Sequence, residues 1–168
     1  GEAVLPSVAE ALGRVLFVVV SCTRDPSRGR AFGRLIKSLN REHGRVGFRN
    51  NMLLFDNASR IRTPMAKWKV PAVFANCADN IGYWSALKWS MDNAPELFGR
   101  QFDYIHPIES DLVLYELERL AEAVRFLDST SAIHYVRTQE FSVANRNRYF
   151  KGKSKLFACR RSLVADYN

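Results

Sequence analysis

The stretch "RVLFVVVSCT", Arg14 to Thr23, decides the fold. Val15 to Val20 is an unbroken apolar run dominated by valine. A strand with one wet face alternates apolar and polar residues, whereas an unbroken run needs cover on both faces, as in a central parallel strand between helices. The run is too short to span a bilayer, which takes roughly 20 apolar residues. Gly13 and Arg14 before it and Ser21 after it are the wrong flanks for a secretory leader.

The same rhythm continues outward. After a polar loop, "SCTRDPSRGR", Phe32, Leu35, Ile36 and Leu39 fall at i, i+3, i+4 and i+7, an amphipathic helix with Gly44 as its expected stop. "MLLFDNAS" is a second short strand closing on Asp56 and Asn57, and "VPAVFANC" a third, starting around Pro71. Trp84, Leu87 and Met91 form another helical face, and Phe102 to Ile108 reads as a fourth strand. Leu117, Leu120, Ala121 and Val124 mark the clearest helix. Alternating strands and helices predict an α/β layer sandwich with a mostly parallel sheet.

A chain of 168 residues has the length of one domain and buries a sizeable core without staples. The hydrophobic content of 47% suits such a core. Cys22, Cys77 and Cys159 match no zinc or redox spacing, so a reducing, cytoplasmic setting is expected. The net charge of +8 is unevenly placed, because seven basic residues and no acid lie between Phe141 and Ala165. Such a segment suits phosphates, an anionic surface or nucleic acid.

In open parallel sheets ligands bind beyond the carboxyl ends of the strands. The polar clusters follow that rule: Ser21 and Thr23 after strand one, Asp56, Asn57 and Ser59 after strand two, Asn80 and Gly82 after strand three, Glu109 and Asp111 after strand four. In an extended segment Glu109 and Asp111 share one side, with Ser110 opposite. Two oxygen ligands so placed suit magnesium or manganese. The ordinary alternative is that Asp111 caps a helix beginning near Leu114. "FDNAS" equally suits an Asx-type turn. In "NIGYWSALK" Asn80 would be a helix cap and Lys88 a solvated charge.

Taken together and in order, "FDNAS", "ADNIGYWSALK" and "IESD" resemble the nucleotide-sugar-dependent glycosyltransferases of the GT-A fold, especially the inverting family two. The likeness covers roughly Val15 to Val136. It implies a metal-dependent transferase that moves a sugar from a UDP- or GDP-type donor to a glycan, lipid-linked or protein hydroxyl. By that resemblance Ser21 and Thr23 line the nucleoside pocket, Asp56 accepts hydrogen bonds from the base, Asn57 is a further nucleotide-binding residue, and Asn80 and Gly82 shape the wall near ribose and diphosphate. Lys88, where the family often has Asn, would help hold the diphosphate. Glu109 would reach the ribose or metal, and Asp111 would coordinate a Mn2+ or Mg2+ ion. Glu stands where the family's metal motif begins with Asp. The chain ends 57 residues after Asp111, and Glu140 is the candidate base.

Two other readings compete: the nucleotide-binding part of a larger enzyme, and a nucleotidyltransferase, which would release pyrophosphate. The basic tail, with Tyr149, Phe150 and Phe157 among its cations, is expected to be a lid over the diphosphate or a solvated segment. Contact with an acceptor or an anionic membrane surface ranks next, and nucleic acid last.

Overall fold

The computed structural model describes residues 6–130, 133, 135–138 and 141–145. Helix α1 (Pro6–Gly13) leads into β1 (Val15–Ser21), α2 (Pro26–Arg45) and β2 (Met52–Asn57). Strand β3 (Val73–Cys77), α3 (Tyr83–Phe98), β4 (Tyr104–Glu109) and α4 (Leu117–Ser129) follow, then the short β5 (Tyr135–Arg137) and β6 (Ser142–Asn145). The sheet runs β3-β2-β1-β4-β6-β5. The first four strands are parallel, while β6 runs antiparallel to both β4 and β5.

The apolar run of β1 is covered on both faces. Val15, Phe17 and Val19 point into a core shared with α1, α2 and α4; Leu16 and Val18 point into a second core built on α3. Burial of each such side chain contributes roughly 1.5–3 kcal/mol. This is the expected layer sandwich, and β1 is flanked by β2 and β4.

Element ends differ from expectation for local reasons. Helix α2 starts at Pro26, shrinking the loop after β1 to four residues, Cys22 to Asp25. Pro at the first helical position leaves no N–H to satisfy, and the Asp25 carboxylate accepts the Arg28 N–H at 2.9 Å. Gly44 does not stop the helix, which runs to Arg45; the N–H groups of Val46 and Gly47 close onto the Glu42 carbonyl, and Gly47 takes a φ of 93°. The buried Glu42 carboxylate ties α2 to α4, accepting from Arg45 at 2.9 Å and from the Leu117 N–H at 3.1 Å. Burial pushes this carboxyl up, but those bonds and the charges of Arg45 and Arg41 outweigh it and hold it below its ordinary value.

The helix expected near Leu114 begins instead at Leu117, with Glu116 at its cap position and no capping side-chain bond. Asp111 is six residues away and caps nothing there. Ser142 to Asn145, at the start of the basic segment 141–165, form β6; the seven basic residues of that segment, and the lid expected of them, lie outside the described residues. No helix among the described residues is long and apolar enough to cross a membrane.

Candidate functional site at the strand ends

The parallel register brings the expected clusters to one rim. Ser21 sits opposite Asp56, Asp56 opposite Asn76, and Val20 opposite Glu109, so β1, β2, β3 and β4 end nearly level. The loops beyond them are clasped together. The Thr23 N–H donates to Ser59 Oγ at 2.8 Å, and the Thr23 carbonyl accepts the N–H groups of Arg60 and Ile61 at 2.8 and 3.0 Å. Ser21 is fully buried, and its hydroxyl has no hydrogen-bond partner among the described residues. An unpaired buried hydroxyl costs about 1–3 kcal/mol, so its retention is a feature to explain.

Asp56 and Asn57 are both buried. Asp56 Oδ1 accepts the Ser59 N–H at 3.0 Å, the Asx-type turn, around Ala58 at a φ of 63°. A left-handed alanine costs roughly 1–2 kcal/mol, strain of the kind that persists where a loop is fixed on both sides. Asn57 reaches across to the third loop: its Nδ2 donates to Asn80 Oδ1 at 3.1 Å, and its Oδ1 accepts the Ile81 N–H at 2.8 Å. Asn80 is not the helix cap that its position suggests. Its Oδ1 accepts the Gly82 N–H at 2.8 Å, and its Nδ2 donates to Cys22 Sγ at 3.5 Å. Gly82 itself occupies the cap position of α3 at φ 88° and ψ 157°, a conformation that side chains resist. Lys88 lies one turn into α3, its ammonium held by Asp92 at 2.5 Å.

Glu109 ends β4 in an exposed position, and the chain then turns, the Leu112 N–H closing onto the Glu109 carbonyl at 3.2 Å. Glu109 and Asp111 therefore do not alternate along an extended segment; they flank a turn. Both are exposed, and neither makes an ion pair among the described residues. In a chain with 25 lysines and arginines, an unpaired acid pair keeps its oxygens available for a hard cation. No cluster of three or more His, Cys, Asp or Glu side chains is present among the described residues. Glu140 lies outside the described residues.

Behind this turn lies a pair that the sequence reading passed over. His106 is buried on β4; its Nδ1–H donates to the Ser142 carbonyl at 2.8 Å, which leaves Nε2 to accept from the Tyr115 hydroxyl at 2.6 Å. Burial pushes the imidazole down to about 4, against a smaller upward pull from the Ser142 carbonyl, so the ring is neutral at physiological pH. Tyr115 stacks on Phe141 with centroids 4.6 Å apart. His106, Tyr115, Phe141 and Glu109 line a cavity of about 200 Å³. A neighbouring cavity of about 350 Å³ shares Glu109 and adds Tyr83, Trp84, Tyr135 and Arg137. Tyr115 lies nine residues beyond His106, past the turn that follows β4, whereas Ser142 is 36 residues away and is brought there by the pairing of β6 with β4.

Comparison with solved structures identifies the architecture. The mannosyltransferase PcManGT of Pyrobaculum calidifontis, solved in complex with GDP-Man and Mn2+, aligns over 80% of this chain and 45% of its own, with TM-score 0.53 and 15% identity. A nucleotide-diphospho-sugar transferase fold from Desulfovibrio desulfuricans G20, itself of putative assignment, aligns over 82% of this chain and 65% of its own, with TM-score 0.53 and 12% identity. The fold is that of the GT-A glycosyltransferases. No protein-family model matches the chain, and no curated protein matches it in sequence. The chain spans less than two thirds of the length of either solved neighbour. In open parallel sheets ligands bind beyond the carboxyl ends of the strands, and the clasped rim lies at that end of β1, β2 and β4.

Proposed function

We propose that the rim binds a nucleoside diphosphate sugar and that the chain is the donor-binding part of a metal-dependent, inverting glycosyltransferase. The observation that carries this reading is the meeting, on one rim, of a clasped amide wall with a buried hydroxyl and an exposed acid pair that have no partners among the described residues. Ser21 and Thr23 would meet the nucleoside, and Asp56 and Asn57 its base. Asn80 and Gly82 would shape the wall beside the diphosphate, with Lys88 near it. Glu109 and Asp111 would hold Mn2+ or Mg2+, and the solved neighbour that contains GDP-Man and Mn2+ supports this choice.

When the sugar leaves, negative charge grows on the departing β-phosphate. A bound divalent cation supplies Lewis-acid stabilisation of that charge. The residues of the rim would orient the donor, and the exposed acids would hold the cation that meets that charge. A base must take the proton from the acceptor hydroxyl, and Glu140 is proposed for that role. The acceptor is a hydroxyl on a glycan, lipid-linked carrier or protein.

Calorimetric titration of UDP and GDP, with and without Mn2+, tests the reading on the wild type and on Asp111→Ala. Metal-dependent binding of one nucleotide, lost in Asp111→Ala, is the expected result. Absence of binding by either nucleotide under all conditions would refute it. Release of nucleoside diphosphate rather than pyrophosphate on turnover would separate transfer of a sugar from transfer of a nucleotide.

A further inference from the structure

The largest groove among those described lies away from the acid pair, between α2 and the connection from β2 to β3. Its volume is about 1090 Å³. Arg30, Arg34 and Lys37 line one wall; Arg62, Lys67 and Lys69 line the other. All six are exposed, no carboxylate lines the groove, and none of the six makes an ion pair among the described residues. On α2 the three cations recur at i, i+4 and i+7, a stripe about 10 Å long by helical rise. Six unpaired cations facing one trough repel one another, and an anionic occupant would relieve that repulsion.

The trough is built rather than incidental. The Asn40 side chain straps its far wall to α2, donating to the Lys67 carbonyl at 2.7 Å and accepting the Lys69 N–H at 3.0 Å. At the other end the Thr23 carbonyl holds the N–H groups of Arg60 and Ile61. The walls therefore keep their separation without a ligand.

We infer that this groove binds an anionic polysaccharide, a linear sugar chain bearing phosphate, sulfate or carboxylate groups. The shape and lining select that class. Two parallel basic walls suit a narrow chain, whereas an anionic bilayer presents a broad surface. Nucleic acid would call for rings on which bases stack, and the single aromatic residue in the lining, Phe32, is only 1% exposed. Peptide grooves rely on several apolar anchor pockets; here Ile61, 36% exposed, is the one large apolar side chain open in the lining, and Pro26, Pro64, Ala66 and the glycines 29 and 33 fill the space between the cations. Thr23 lines the groove and is bonded to Ser59 of the loop that follows β2, so a bound chain would extend toward the proposed donor site and would serve as its acceptor. That last role rests on the proposed function; the binding itself does not.

The test is fluorescence anisotropy of a labelled heparin decasaccharide at about 0.1 M salt, where the screening length is about 10 Å. Neutral dextran, oligo(dT), poly-glutamate and phosphatidylglycerol vesicles serve as comparison ligands. Expected is binding of the sulfated sugar in preference to all four, weakened at least tenfold by Arg34→Glu with Lys37→Glu at an unchanged melting temperature. Should that variant misfold, Arg34→Gln with Lys37→Gln should show a smaller loss in the same direction. Neutralising Lys151, Lys153 and Lys155 to glutamine should weaken binding less than the groove variant does. The inference is overturned by no binding, by binding insensitive to the groove variants, by a larger loss from the tail variant, or by tighter binding to any comparison ligand. Nucleotide titration on the groove variants keeps the two failures apart, since the acid pair is untouched in them.

Discussion

The strand-end rim and the α2 groove adjoin at Thr23 yet are opposite in character. The rim presents exposed acids, Glu109 and Asp111, beside buried amides and hydroxyls that hold the loops. The groove presents six exposed cations on walls strapped by one asparagine. At the rim, polar side chains hold one another in place; at the groove, charged side chains are presented and left unpaired. The difference separates a site that would hold one ligand by directional bonds from a surface that would collect a polymer by charge.

The sharpest break of this comparison is a double dissociation. Asp111→Ala should weaken metal-dependent nucleotide binding by roughly 100-fold, the loss of a charged contact worth about 1.5–3 kcal/mol, and leave decasaccharide binding unchanged. If both ligands weaken together, the rim and the groove are one site, and anisotropy with calorimetry on the same preparation would show it.

A second prediction concerns the support behind the rim. His106 stays neutral to about pH 4 in the folded chain but takes a proton near 6.5 once unfolded, so protons favour the unfolded state in between. Stability should fall by roughly 3 kcal/mol as pH drops from 6.5 to 4, a melting shift of roughly 10 °C. In His106→Gln that slope should vanish. Below this window Glu42 and Asp128, whose folded values lie under their ordinary 4.5 and 3.8, lose their own contribution as pH falls through those folded values. Calorimetric melting across pH would reveal a flat wild-type profile between 6.5 and 4 if the ring were solvated.

Asn57→Ala removes both bonds joining the β2 and β3 loops and should cost about 1–3 kcal/mol, several degrees in melting temperature. Nucleotide binding should weaken with it while the groove keeps its affinity. The smallest effect is expected for Ser21→Ala. Deleting a buried hydroxyl that has no partner should leave the melting temperature unchanged or raise it slightly, while nucleotide affinity falls by less than tenfold. A clear drop in stability instead would show that the hydroxyl is satisfied in the folded protein.

How much was legible in the sequence follows from the kind of signal each region carries. Val15 to Val20 announced a strand covered on both faces because burial on both sides leaves no polar positions in the run. The strand-end clusters were legible because parallel strands end where their apolar runs end. The limits of α2 were misjudged because Pro26 permits a helix start and Gly44 permits passage, while closure came at Gly47. The turn after Glu109 was misread because strand alternation was carried past the residue where pairing stops.

The sequence by itself determined the layered α/β class and the rim, since hydrophobic period and strand length are local properties of the chain. Tertiary structure alone decided the rest. The His106–Tyr115 pair exists because an antiparallel β6 supplies the Ser142 carbonyl that fixes the imidazole's tautomer. The basic groove exists because residues 30–37 and 62–69, two acid-free basic stretches far apart in the linear order, pack face to face across Asn40. Charge in a sequence is a count, but in a folded chain the distance between charges sets their energy.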